Sequence, residues 1–446
     1  MKASIAPPLA VLLLAGVSLT AQEVSKETKP AAAPAAPADP FVKKREKAGA
    51  EAGSGPATSA NVGGVFQYID VSRERWQKWL DANQAPVDAG ALRREVEAWI
   101  AEGDAALAET SLVMGKTGQR SKVESVRNQA FPTEFGENAA GQPFPTTIEC
   151  RNVGTTSETD VVIASDTSVD FNFAPERVAC AGEVPPREET GVGDGDVRFP
   201  LFITQKVTTM TSLDPRQWAL VGCETSLAQP ETRHTLVFVR PVLHRFEEAA
   251  AEEEAPTEVM LAFTWIETSH EAFNASLMKG GDLSAWIGGG LREEVAKAGG
   301  KVVEEKVVRV RNGQRSKVES IREMRHATDF LESSEGGFAT PNAFESRNIG
   351  TTVEVDPVIS PAGGMLDLNL AAEFSSFWGH DVLHRILVEG EWKPNVTMPA
   401  FYTMQPTTQL SLPVDVPVLV AVMSPPDEKG WTDPSRKVLL FVKFSR

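Results

Sequence analysis

The octapeptide GQRSKVES at Gly118 to Ser125 returns unchanged at Gly313 to Ser320, and each copy runs on into an apolar residue and an arginine, Val126-Arg127 and Ile321-Arg322. In the first copy Arg120, Lys122 and Glu124 alternate with Ser121, Val123 and Ser125; in the second, Arg315, Lys317 and Glu319 alternate with Ser316, Val318 and Ser320. A period of two belongs to a strand, with charges on one face and small or apolar side chains on the other. The charged residues Arg120, Lys122, Glu124, Arg315, Lys317 and Glu319 read as a contact face for a partner chain. The plainer reading is a wet sheet face laced with cross-strand ion pairs.

Matches extend outward from this pair. RNVGTT (Arg151 to Thr156) answers RNIGTT (Arg347 to Thr352), and VDFNF (Val169 to Phe173) answers LDLNL (Leu366 to Leu370). Pro200, Phe202, Thr204, Thr208 and Thr209 answer Pro399, Phe401, Thr403, Thr407 and Thr408. Upstream, FQYID (Phe66 to Asp70) answers FTWIE (Phe263 to Glu267), and LRREV (Leu92 to Val96) answers LREEV (Leu291 to Val295). The order never changes, which indicates duplication of one unit, with expected copies at 63–246 and 257–446. Between them FEEAAAEEEAPTE (Phe246 to Glu258) supplies an acidic linker, placed at 247–256. Two copies are fewer than a stacked solenoid needs.

Each unit changes period along its length. FQYID opens as a strand; Trp76, Trp79 and Leu80, then Leu92, Val96, Trp99 and Ile100, recur at helical spacing, as do Leu283, Trp286, Ile287, Leu291 and Val295. Strand patterning follows to the end of each unit. Val169, Phe171 and Phe173 alternate with Asp170 and Asn172, the pattern of a sheet with one wet face. LVFV (Leu236 to Val239) and VLLFV (Val438 to Val442) are apolar throughout, which suits strands covered on both faces. The expected fold class is α+β and β-rich: two tandem units, each a strand and amphipathic helices followed by a mainly antiparallel sheet.

The 446 residues carry a formal net charge of −17. That balance excludes a phosphate-neutralising surface, so no nucleic-acid partner is expected. Lys2, the apolar run Leu9 to Leu19 and the small residue Ala21 have the layout of a secretory signal peptide at 1–21. A Pro/Ala-rich tether is expected over 22–62. Export places Cys150, Cys180 and Cys223 where oxidation is permitted; one intrachain bridge or buried free thiols are the expectation.

The search for chemistry gives weak signals. His380 and His384 in HDVLH would share a face, and a metal ion, if that stretch were helical, with Asp381 or Glu389 nearby. His270-Glu271 begins like a zinc-protease motif, but Asn274 stands where its second histidine belongs. Gly288 to Gly290 lack the lysine and hydroxyl of a phosphate loop and read as a hinge in the helical region. The Trp76 and Trp79 stripe reads as a helix face packed on the sheet. No enzyme and no cofactor are expected.

The order of the strand motifs resembles the C-terminal secretin domain of bacterial type II and type III secretion and type IV pilus channels. The residues that carry it are RNGQRSKVES (Arg311 to Ser320), RNIGTTVEVDPVISPAGGMLDLNLAAEFS (Arg347 to Ser375), PAFYTMQPTTQLSLPVDVPVLVAV (Pro399 to Val422) and VLLFVKF (Val438 to Phe444), with a divergent outline in the first copy that ends on LVFVRPVL (Leu236 to Leu243). The resemblance implies an exported, non-enzymatic protein of the periplasm or outer membrane. It implies envelope or secretion-system proteins, or further copies of the chain, as partners, with sheet edges as the contact. Where the family has Gly-Gly after the Asp turn, Gly222-Cys223 and Ala421-Val422 stand here. The expectation is therefore a soluble or peripherally attached relative of the channel domain, with a true outer-membrane pore subunit as the alternative and a metal-dependent hydrolase as a distant third.

Overall fold

Strands make up most of the chain because period-two and all-apolar runs dominate it after each short helical segment. The structure, a computed structural model, describes residues 58–84, 88–137, 143–184, 199–248, 256–279, 283–332 and 338–446. The expected signal peptide and most of the expected tether and acidic linker lie outside the described residues. The tether was expected to reach 62, yet β1 already begins at Thr58 and pairs along its whole length.

The first half runs β1 (Thr58–Ser72), α1 (Arg73–Ala82), α2 (Gly90–Glu102), β2 (Ala105–Lys116), β3 (Arg120–Glu137), β4 (Pro143–Ser165), β5 (Ser168–Val184), β6 (Phe199–Lys206), β7 (Thr209–Leu213), β8 (Ala219–Thr225) and β9 (Arg233–Glu247). The second runs β10 (Glu258–Ser269), α3 (His270–Met278), α4 (Leu283–Ala285), α5 (Leu291–Lys297), β11 (Lys301–Arg311), β12 (Ser316–Glu332), β13 (Ala339–Ile359), β14 (Met365–Val388), β15 (Glu391–Pro413), β16 (Val418–Met423) and β17 (Arg436–Ser445). A β-rich α+β fold is what the sequence patterning implied.

Two antiparallel sheets result. One has eight strands in the order β11-β10-β17-β16-β2-β1-β9-β8. The other runs β12-β13-β14-β15-β3-β4-β5-β6, with β7 also on β5. In each sheet the strands of one half stay together, in the same relative order as those of the other half. The halves then meet edge to edge, at β16–β2 in the first sheet and at β15–β3 in the second.

The eight-stranded sheet is the middle layer. Its interior strands are buried on both faces, since β17 from Lys437 to Val442 and β9 from Thr235 to Val242 contain no exposed residue. One side packs on the second sheet through Val123, Val353, Leu368, Leu370 and Met404, and the other on the helices through Trp99, Phe273, Ile287 and Leu291. That explains why LVFV and VLLFV are apolar throughout. Burying one such side chain contributes roughly 1.5–3 kcal/mol. Trp76 and Trp79 stack at 5.2 Å in this helical layer, as their spacing implied.

The glycine of the RNVGTT and RNIGTT motifs has a steric reason. Gly154 and Gly350 take φ of 136° and 127°, and a Cβ there would stand 2.2 and 2.1 Å from the carbonyl oxygens of Ser125 and Ser320. The motif thus lets β4 and β13 approach closely the octapeptide strands that they pair with in the sheet, Gly154 opposite Val126 and Gly350 opposite Ile321. Gly288 and Gly289, where the sequence implied a hinge, lie at a kink between α4 and α5, with backbone angles outside the helical region (φ/ψ of −77°/34° and 111°/−20°). They also sit close to their neighbours: a Cβ would meet the His244 ring at 2.9 Å from Gly288 and Pro417 at 3.2 Å from Gly289.

Candidate interface along the sheet edges

The identical octapeptides fold alike and sit in different surroundings. In the first half Ser121, Val123 and Ser125 on β3 are buried, and the strand is paired on both sides, to β4 and to β15. In the second half β12 pairs along its length only with β13, apart from one bridge from Asp329 to Thr147 of β4 near its far end. Lys317, Glu319, Ser320, Ile321 and Arg322 of β12 are exposed. The remaining edges show the same asymmetry. β2 is mostly buried and its counterpart β11 mostly exposed; β16 is buried throughout and its counterpart β8 is not.

The charged strand face holds intrastrand ion pairs in both copies, Lys122–Glu124 at 2.7 Å and Lys317–Glu319 at 2.6 Å. Arg120 meets Glu158 at 2.5 Å and Arg315 meets Glu354 at 3.2 Å, each on the neighbouring strand. All four pairs are partly exposed, where such contacts contribute about 0.2–1 kcal/mol. All six residues are therefore engaged in ion pairs on or beside their own strand, and what differs between the copies is the backbone edge beside them.

At the junction of the halves the polar interior is continuous. Lys437 of β17 donates to the Glu109 carboxylate of β2 and, at 2.6 Å, to the Ser424 hydroxyl, which donates in turn to Glu109 at 2.7 Å. The backbone N–H of Ser424 donates to Ser125 Oγ at 3.0 Å. Burial pushes the Lys437 ammonium below its usual value, and Glu109 opposes that shift. Asn61 clasps Ser411, donating to its carbonyl at 2.7 Å and accepting from its N–H at 2.8 Å. Arg93 of α2 donates to Gln67 at 2.9 Å and to Asn274 of α3 at 3.0 Å, and pairs with Glu97 at 2.8 Å. Asn274, which breaks the zinc-protease pattern, thus serves to join the helices of the two halves. Arg127 lies 4.4 Å from the Trp431 ring centre, donates to the Lys429 carbonyl at 3.0 Å and pairs with Asp381 at 2.6 Å.

His380 and His384 do not meet the helical condition. HDVLH belongs to β14, His380 is exposed against the Phe377 ring, and His384 lies beside Asn395 at 3.0 Å. Asp381 is taken by Arg127. The cysteines also differ from expectation: Cys150 and Cys223 are exposed, Cys180 is half-buried, and all three are free. Each faces another residue type across its strands, namely Ala130, Phe202 and Leu236. Desolvation pushes the Cys150 and Cys223 thiols up, away from thiolate reactivity. A cleft of about 790 Å³ beside the helices is lined by Arg94, Arg216, Arg240 and Arg245 together with Trp218 and Leu243. Two of these arginines are held by Asp214 and Asp166 at 2.6 Å.

No family model matches the chain, and no curated protein matches it. Among solved structures it is similar to ExeD of Aeromonas hydrophila, with 12% identity, 43% of this chain and 49% of that chain covered and a TM-score of 0.22. Similar too are the type II secretion system secretin GspD of E. coli, with 10% identity, coverage of 42% and 48% and a TM-score of 0.18, and the type IV competence pilus secretin PilQ of V. cholerae, with 9%, coverage of 87% and 61% and a TM-score of 0.20. The chain spans about half the length of the first two. Overlaps at these TM-scores establish neither a common fold nor a common activity.

Proposed function

We propose that this chain is an exported, non-enzymatic structural or assembly component of the bacterial envelope, built from two tandem units like the secretin channel domain and acting through sheet edges. One observation carries the reading. The halves join by strand pairing at β16–β2 and β15–β3, and apart from the Asp329–Thr147 bridge of β12 to β4 the counterparts of those same edges stand unpaired among the described residues. A strand edge offers a row of N–H and C=O groups to an incoming strand. The buried titratable groups support a structural role, because Lys437 with Glu109, and Arg93 with Asn274, are engaged in holding the halves together. The envelope location and the secretion-system partners follow from the motif resemblance.

A second reading, an outer-membrane pore subunit, is favoured by the far end of the second sheet. There the β12–β13 and β14–β15 hairpin ends expose Leu331, Phe338, Phe344, Leu387 and Trp392, an apolar, aromatic band of the kind that meets lipid.

Fractionating cells and sizing the extracted protein tests the reading. Recovery with the envelope at a mass above the monomer is the expected result, and a cytosolic monomer would overturn it. Heat- and SDS-resistant bands from the membrane fraction would select the pore subunit.

A further inference from the structure

Two charges are reversed between the halves, and both reversals line the cleft of about 790 Å³ beside the helices. LRREV answers LREEV, so Arg94 stands where the second half has Glu293. SLDPRQWAL (Ser212 to Leu220) answers SLPVDVPVL (Ser411 to Leu419) without a gap, in step with the pairings Ala219–Val239 and Val418–Val442. Arg216 therefore stands where the second half has Asp415. Arg240 of β9, opposite Val65, answers Lys443 of β17, opposite Ala262. In the second half the charges at these positions find opposite partners: Lys443 pairs with Asp415 at 3.2 Å, and Glu293 pairs with Lys297 at 3.7 Å. In the first half arginine occupies both acidic positions.

The cleft combines positive charge with apolar surface. Arg94 is exposed and joins no ion pair among the described residues, and Arg240 is buried in the wall. Arg216 and Arg245 are held by Asp214 and Asp166, and Asp88 accepts the Gly90 N–H at 2.8 Å. Four arginines thus meet three carboxylates among the described residues, a local excess of positive charge in a chain of net charge −17. The start of α2 opens here through Gly90 and Ala91; its N-cap, Ala89, offers no side-chain acceptor, so the helix dipole adds to that excess. Trp218, Leu277 and Leu283, all buried, supply the apolar lining. Trp218 is fixed in place by the fold itself, since its carbonyl accepts the Ala89 N–H at 2.8 Å and Arg93 lies 5.6 Å from its ring centre.

We propose that this cleft binds a small amphipathic anion, a carboxylate or phosphate monoester with an apolar tail, its head held by Arg94, Arg216 and Arg240 and its tail laid against Trp218, Leu277 and Leu283. The size suits such a ligand, because small-molecule sites run from about 300 to 1,000 Å³ and set a few polar groups among apolar walls. Arginine suits the head, since its planar fork matches carboxylate and phosphate oxygens two at a time. Desolvation lowers the pKa of Arg240, and an anion beside it would offset that cost. The second half shows the alternative, in which acids of the chain itself occupy the anionic positions. This claim goes beyond the edge-contact reading and does not depend on it.

Isothermal titration calorimetry on the full chain tests this with dodecanoate and dodecyl phosphate, each kept below its critical micelle concentration. One-to-one binding of at least one of them is expected, and the tighter of the two identifies the head group. Dodecanol, which lacks the charge, and inorganic phosphate, which lacks the tail, should each bind about tenfold more weakly or worse. Arg94→Glu combined with Arg216→Asp gives the first half the charges of the second and should weaken binding by about tenfold or more. Arg322→Glu, a similar reversal on β12 of the other sheet, should leave binding unchanged. All three substitutions fall at exposed positions, which a fold tolerates. Failure of both amphiphiles to bind overturns the inference. So does binding that the double substitution leaves intact, or that Arg322→Glu weakens equally, and so does inorganic phosphate binding as tightly as dodecyl phosphate.

Discussion

Lys437 on β17 and Glu109 on β2 form an ion pair buried from solvent, joining residues from opposite halves of the sequence. Ser424 closes the arrangement by bonding to both, which leaves neither charge facing apolar neighbours alone. Such a pair contributes specificity more surely than net stability, because desolvation costs it much of its Coulombic gain. Its use here is to fix which strand lies beside which.

Removing one partner should therefore be costly and removing both less so. Lys437→Met or Glu109→Leu is expected to destabilise by about 3–5 kcal/mol in denaturant unfolding, while the double substitution should recover much of that loss.

The two octapeptides should answer the same substitution differently. Val123 is buried on the face of the second sheet that packs on the eight-stranded sheet, whereas its counterpart Val318 is only half-buried. Val123→Ala should cost about 1.5–3 kcal/mol and Val318→Ala under about 1 kcal/mol in dilute monomer. Arg127→Ala should be the larger change beside Arg322→Ala, because Arg127 leaves a half-buried Asp381 without its cation and Arg322 is exposed.

Stability should fall on mild acidification. Burial, reinforced by the nearby Lys437 ammonium, holds His270 well below the ordinary imidazole value. Its ring is fixed between the Pro434 carbonyl and the Thr110 hydroxyl, each at 2.7 Å. The unfolded chain takes up this proton near pH 6.5 and the folded chain does not. The contribution is therefore complete above that pH and declines below it, by at most about 1.4 kcal/mol per pH unit, until the folded pKa is reached. Chemical denaturation at stepped pH checks this, and His270→Gln should remove that part of the slope.

Gly350→Ala and Gly154→Ala should each destabilise by about 1–3 kcal/mol, since both φ values are positive and the added carbon would overlap a carbonyl oxygen of the octapeptide strand. Thermal melts check this against Gly182→Ala, which shares a positive φ of 123° but whose Cβ would meet nothing within 4 Å, so a larger loss at Gly154 and Gly350 measures the overlap.

Local chemistry was legible in the sequence, and pairing was not. Alternation along VDFNF, the all-apolar LVFV and VLLFV, and the helical spacing of Trp76 and Trp79 each reflect a surface that neighbouring residues decide. HDVLH stayed ambiguous in the sequence because histidines four apart fit a helix, while strand pairing to β15 determines the segment. The edges were invisible for a deeper reason: GQRSKVES is one sequence in two environments, and the strand that distinguishes them lies more than 270 residues away from the first copy. Glu109 and Lys437 left a fainter mark, each a charge beside a largely apolar run.

Hydrogen exchange on the dilute monomer, resolved to single amides within the two octapeptide strands, tests most directly that the halves take one shape and pair edge to edge. The account predicts slow exchange at successive amides of residues 122–128, which bond alternately to β4 and β15, and at only every other amide of residues 317–323, which bond to β13 alone. Equal protection of the two copies in the monomer would contradict it.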